Sequence, residues 1–103
     1  MSPPTLGRFQ LVVQAVAKSS QDAETIYKMV KAIQKRALSD VEPQTHTYRV
    51  LRSVDDQKTI FIFEEYETSE ALLKTHMDGE EFKALLAKLN DLTEALNVRF
   101  YKE

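Results

Sequence analysis

At 103 residues the chain has room for one domain with a single modest core and none for a second. Hydrophobic residues make up 43% and charged residues 29%, with a formal net charge of -2, an ordinary globular profile that argues against a disordered chain or one that coats nucleic acid. The absence of cysteine excludes disulfides, thiolate catalysis and Cys-based zinc or iron–sulfur sites, and suits a reducing compartment.

The opening MSPPTLGRFQ has no basic segment followed by an apolar core, and no apolar run reaches the ~18 residues of a membrane span. A cytoplasmic protein without a membrane partner is expected. Residues 1–8 read as a flexible tail and 9–103 as the domain.

Phe9 to Ala17, FQLVVQAVA, is short and alternating, a strand with Phe9, Leu11, Val13 and Ala15 on one face and Gln10, Val12, Gln14 and Val16 on the other. After Ser19 and Ser20, either of which can cap a helix, apolar residues recur at Ala23, Ile26, Tyr27, Val30, Ile33 and Ala37. That amphipathic helix ends near Ser39. Pro43 disfavours helix at Glu42, and Thr45 to Ser53 reads as a second strand. Asp55, Asp56 and Gln57 supply a turn into a third strand, TIFIFEEY from Thr59 to Tyr66, so these two strands form a hairpin.

Thr68 or Ser69 can cap the next helix, which carries Ala71, Leu72, Leu73 and His76 and breaks at Asp78-Gly79. Asp78 and Glu81 have the spacing of a capping box for a further helix bearing Phe82, Leu85, Leu86 and Leu89. Leu96 to Tyr101 alternates as a closing strand. The order βαββαβ, with the second helix split, predicts an α+β fold of ferredoxin-like type, a four-stranded antiparallel sheet with the helices on one face. The other face stays open. Since Phe61 and Phe63 point opposite to Ile60 and Ile62, that face is apolar, and a homodimer joined sheet to sheet is expected to cover it.

With this topology, the chain resembles the antibiotic biosynthesis monooxygenase domain family of dimeric α+β barrels. The resemblance rests on Tyr48-Arg49-Val50, Phe63-Glu64-Glu65-Tyr66, Thr68-Ser69-Glu70-Ala71-Leu72, His76 and Phe82. They follow a pattern of a carboxylate, an aromatic two residues later, a capped helix with Ala-Leu, a histidine and a phenylalanine. The family and its structural relatives include cofactor-independent oxygenases of hydroquinones and anthrones, haem-degrading enzymes, isomerases and members of no known activity. The lack of Trp, and of Asn before Asn90, argues against the haem-degrading branch.

The resemblance implies a cofactor-independent monooxygenase acting with O2 on a phenolic, quinol or anthrone-like molecule. A non-oxidative isomerase, cyclase or dehydratase in the same pocket, and a non-catalytic dimeric ligand-binding module, are the alternatives. Glu64 and Tyr66 share a strand face, and His76 follows on the next helix, so a carboxylate, a phenol and an imidazole are expected around one space. These three are the candidate catalytic residues, with His76 or Glu64 as base. Tyr48, His46, Ile62, Leu72 and Phe82 are the candidate substrate-binding residues.

Each has an ordinary structural reading beside the functional one. Glu64 would serve as a strand-end carboxylate paired with Arg49 or Lys58, the tyrosines as core or rim aromatics, and His76 as a helix C-terminal cap. The hairpin register bears on this choice. A three-residue loop sets Tyr48 opposite Glu64 and His46 opposite Tyr66, whereas one residue more sets Arg49 against Glu64. The two histidines lack the spacing of a helical metal pair, so no metal is expected. Lys28, Lys31, Lys35 and Arg36 make a basic but solvated face of the first helix, not a nucleic-acid site.

Overall fold

The computed structural model describes residues 2–103. Its elements are β1 (Phe9–Ala17), α1 (Ser20–Ala37), β2 (Thr45–Arg52), β3 (Thr59–Tyr66), a π-helical segment (Ala71–His76), α2 (Glu80–Leu92) and β4 (Thr93–Tyr101). The strands form one antiparallel sheet in the order β2-β3-β1-β4. This is the expected ferredoxin-like α+β arrangement. Among the described residues no helix is long and apolar enough to cross a membrane.

Alternation decides which side chains meet the helices. Phe9, Leu11, Ala15 and Ala17 of β1 and Ile60, Ile62, Glu64 and Tyr66 of β3 are buried. Ala23, Ile26, Val30, Ile33 and Ala37 of α1 pack with Ala17, Ile60 and Ile62, whereas Phe9, Leu11 and Tyr66 pack with Ala71 and Leu72. On the opposite face Phe61 is 37%, Leu51 42% and Tyr101 49% exposed, so the open face has an apolar component as expected. Ser19 is the cap of α1, its Oγ accepting the Asp22 N–H at 3.0 Å.

The hairpin register sets Tyr48 opposite Glu64 and Val50 opposite Ile62, with Arg49 opposite Phe63. Asp56 stabilises the connection, accepting the Lys58 N–H at 3.0 Å and the Thr59 hydroxyl at 2.9 Å. The pairing of His46 with Tyr66 that a three-residue loop would bring does not form. A register irregularity between Thr45 and Thr47 puts Thr45 opposite Tyr66 and lets His46 turn out to the rim.

Thr68 opens the next helical segment by accepting the Ala71 N–H at 3.2 Å. The segment is wound as a π-helix: the Met77 N–H reaches back five residues to the Leu72 carbonyl at 3.0 Å. Ala71, Leu72 and His76 face inward, leaving Leu73 half exposed. The capping box expected at Asp78 is absent. Gly79 is the cap of α2 and offers no side-chain hydrogen bond, while the Asp78 carboxylate pairs with Lys83 at 3.3 Å instead. The Arg36 guanidinium lies over Gly79, so a Cβ there would have to displace Arg36 Nη1. Finally β4 begins at Thr93, three residues before the expected Leu96, because α2 runs into it without a loop.

Candidate active site

Between the sheet and the helices lies a cavity of about 320 Å³. Its floor is Tyr48 of β2, Ile62 and Glu64 of β3, Leu11, Val13 and Ala15 of β1, and Leu96, Val98 and Phe100 of β4. Its roof is Ile26, Val30 and Ile33 of α1, then Leu72, Leu73 and His76, and Phe82, Leu85, Leu86 and Leu89 of α2. Met77 and Pro3 complete the lining. Among the described residues only Tyr48, Glu64 and His76 bring polar side chains to it, and they adjoin one another. This is the composition of a site that desolvates an apolar molecule and fixes it by one polar end.

Tyr48 reaches this position because it faces Glu64 across the β2–β3 ladder. Its ring lies 5.5 Å from that of His76, whose other ring neighbours are Tyr66 at 5.5 Å and Phe82 at 5.6 Å. His76 ends the π-helical segment, and its imidazole is only 2% exposed in this aromatic setting. His76 is therefore no solvent-facing helix cap.

Glu64 is equally buried and accepts a hydrogen bond from the Tyr66 hydroxyl. Tyr66 is fully buried and stands behind Glu64 rather than on the cavity wall. Burial holds the Glu64 carboxyl up at about 7, against the opposing pull of the Tyr66 hydrogen bond. Burial and the Glu64 charge raise the Tyr66 phenol above its ordinary range, and burial does the same to Tyr48. Burial also lowers the affinity of His76 for a proton, while its hydrogen bond to Glu42 works the other way. A neutral imidazole beside a carboxyl that titrates near neutrality can move protons.

Of the predicted residues, His76, Glu64, Tyr48, Ile62, Leu72 and Phe82 line the cavity, and Tyr66 supports it from behind. His46 does not belong to this group. Its Nε2 lies 2.6 Å from Glu67 and 3.2 Å from Arg8, an exposed cluster at the sheet margin, because the β2 irregularity turns it away. Neither Arg49 nor Lys58 pairs with Glu64; Lys58 meets Glu94 instead, at 3.4 Å.

The sequence reading missed Glu42. This carboxylate in the α1–β2 connection is 2% exposed and lies 2.8 Å from His76 Nδ1. Thr45 Oγ1 donates to it at 3.1 Å, and Arg36 Nη1 approaches its other oxygen at 3.5 Å. Arg36, expected on a solvated face, is thus turned inward and also donates to the Thr75 carbonyl at 3.4 Å. No periodicity marks a loop carboxylate for burial, so nothing in the sequence singled it out. Among the described residues no group of three or more histidines and acidic residues is arranged to hold a metal.

The sequence matches the family model described as antibiotic biosynthesis monooxygenase over residues 11–88. No curated protein matches it. Solved structures share its fold at low identity. A protein of Pseudomonas aeruginosa is 16% identical with a TM-score of 0.80, the match covering 97% of this chain and 98% of that one. A candidate antibiotic biosynthesis monooxygenase from Nitrosomonas europaea is 18% identical with a TM-score of 0.80, covering 97% and 94%. Another, from Caulobacter crescentus, is 20% identical with a TM-score of 0.79, covering 94% and 90%. At such identities the likeness is one of fold.

Proposed function

The chain belongs to the antibiotic biosynthesis monooxygenase family, and we propose that its cavity takes a phenolic, quinol or anthrone-like aromatic molecule and oxygenates it with O2 without a cofactor. The observation that carries this reading is the segregation within the cavity, an apolar chamber with a phenol, a carboxyl and an imidazole gathered at one end. A flat aromatic ring buries its faces against the aliphatic walls, and its hydroxyl meets Tyr48, Glu64 and His76.

His76 or Glu64 takes the hydroxyl proton, and the electron pair stays on the substrate oxygen. The electron-rich anion supplies the electrons that reduce O2. A carbon–oxygen bond forms at a ring carbon, and the peroxide anion takes back the proton held by the base; the resulting hydroperoxide loses water as its O–O bond and the C–H bond at that carbon break, leaving a quinone. Tyr48 orients the substrate oxygen. Tyr66 acts through its hydrogen bond to Glu64.

A second copy of the chain is the proposed partner of the open sheet face. The same apolar side chains on each copy, Phe61 and Leu51 among them, satisfy one another about a two-fold axis. O2 uptake with a simple hydroquinone or anthrone tests the function. Consumption of one O2 per quinone formed is expected, abolished when both candidate bases are removed in His76→Gln with Glu64→Gln. Turnover that proceeds unchanged without O2 would replace oxygenation with a non-oxidative reaction, and no turnover with binding retained would leave a ligand-binding module.

A further inference from the structure

Glu42 lies outside every motif of the sequence, yet it is buried beside the candidate base. Its Oε1 accepts the Thr45 hydroxyl and meets His76 Nδ1 at 2.8 Å, and its Oε2 faces Arg36 at 3.5 Å. Among the described residues Oε2 makes no hydrogen bond. A buried charge persists only with compensation, and here a cation, a hydroxyl and an imidazole surround one carboxylate.

A carboxylate can only accept, so the proton of the neutral imidazole must sit on Nδ1 and the lone pair on Nε2. Nε2 is the nitrogen turned toward Glu64, 3.9 Å from its Oε1. That distance exceeds a hydrogen bond and leaves the lone pair unclaimed by Glu64. Glu64 already accepts the Tyr66 hydroxyl.

We propose that Glu42 is a positioning residue: it holds the imidazole in the Nδ1–H tautomer and so makes His76, rather than Glu64, the group that takes the proton of a bound phenol. The inference rests on the ligand class proposed above but not on the reaction with O2. The phenol O–H bond breaks, its electron pair stays on oxygen, and a bond forms between the proton and Nε2. The imidazolium so made lies against the Glu42 carboxylate, which stabilises it by charge as well as by orientation.

Glu42→Gln separates orientation from bulk. Arg36 attracts the amide oxygen to the Oε2 position, which leaves the NH2 facing His76 Nδ1 and Thr45. The donor then demands a lone pair on Nδ1, and the ring proton moves to Nε2. Imidazole 15N NMR, recorded without substrate, is expected to find Nδ1–H in the wild type and Nε2–H in the variant. A wild-type ring protonated on Nε2 overturns the proposal.

The base is identified with 4-nitrophenol at a pH where it is protonated in water. The wild type is expected to bind it with the absorption of the phenolate. That band should persist in Glu64→Gln and be lost in His76→Gln, with the bound phenolate reduced about tenfold or more in Glu42→Gln. Binding of the neutral phenol to the wild type, or loss of the band in Glu64→Gln with survival in His76→Gln, overturns the assignment. Neither readout uses O2. A failed oxygenase reading would therefore show separately, as deprotonation of the phenol without O2 uptake.

Discussion

Glu64→Gln should make the protein more stable at alkaline pH while removing an ionisable group from its cavity. In the folded chain burial raises the Glu64 carboxyl from its ordinary 4.5 to about 7. Below pH 4.5 the group is protonated whether the chain is folded or not, and it contributes no pH dependence. Between 4.5 and 7 the folded chain holds a proton that the unfolded chain has released, so stability falls as pH rises. Above 7 both forms are ionised and the loss is complete.

At about 1.4 kcal/mol per pH unit, the displacement from 4.5 to about 7 corresponds to about 3 kcal/mol. The substituted side chain would have no charge to bury, and its amide oxygen can still accept the Tyr66 hydroxyl. Urea unfolding of both proteins from pH 4 to 8.5 is the assay. The difference in unfolding free energy between the variant and the wild type should grow by about 3 kcal/mol across the series, levelling off above neutrality. Any hydrogen bond that the new amide gains adds a constant and leaves this growth unchanged. A difference independent of pH would refute the reasoning.

Tyr48→Phe keeps the ring against His76 and loses only the hydroxyl on the cavity wall. It should lower kcat/KM about tenfold and stability by under about 1 kcal/mol, measured by steady-state O2 uptake and urea unfolding. Gly79→Ala places a methyl where Arg36 lies and displaces that cation from Glu42. A loss of about 1–3 kcal/mol is expected from the urea midpoint, and an unchanged midpoint would show that Arg36 does not compensate Glu42. Phe61→Asp sets a charge in the open sheet face. Sedimentation should find the wild type dimeric and the variant monomeric at micromolar concentration, and a monomeric wild type would remove the proposed partner.

Much of the fold was legible because local rules and burial agree. β1 and β3 begin and end where alternation places them, and Ser19 caps α1 as a serine ahead of an amphipathic run should. The site was legible in part. Glu64 and Tyr66 share a face by the two-residue period of a strand, but only packing decides that Glu64 borders the cavity while Tyr66 stands behind it. At Asp78 the spacing suggested a capping box, but Gly79 is the cap, beneath the Arg36 guanidinium, and the Asp78 carboxylate pairs with Lys83 instead.

His46 and Glu42 mark the limit of local reasoning from opposite sides. With a three-residue hairpin loop His46 would stand opposite Tyr66, but one irregularity in β2 carried it to an exposed ion pair. Glu42 looked like any loop carboxylate before a proline, and the loop carried it inward against His76. The sequence by itself determined the order of strands and helices, their faces and the shared face of Glu64 and Tyr66, because these follow from periods of two and 3.6 residues. Only the tertiary structure decided which ionisable groups meet, since contact between residues 34 apart, as for Glu42 and His76, depends on how the elements pack and has no local period to announce it.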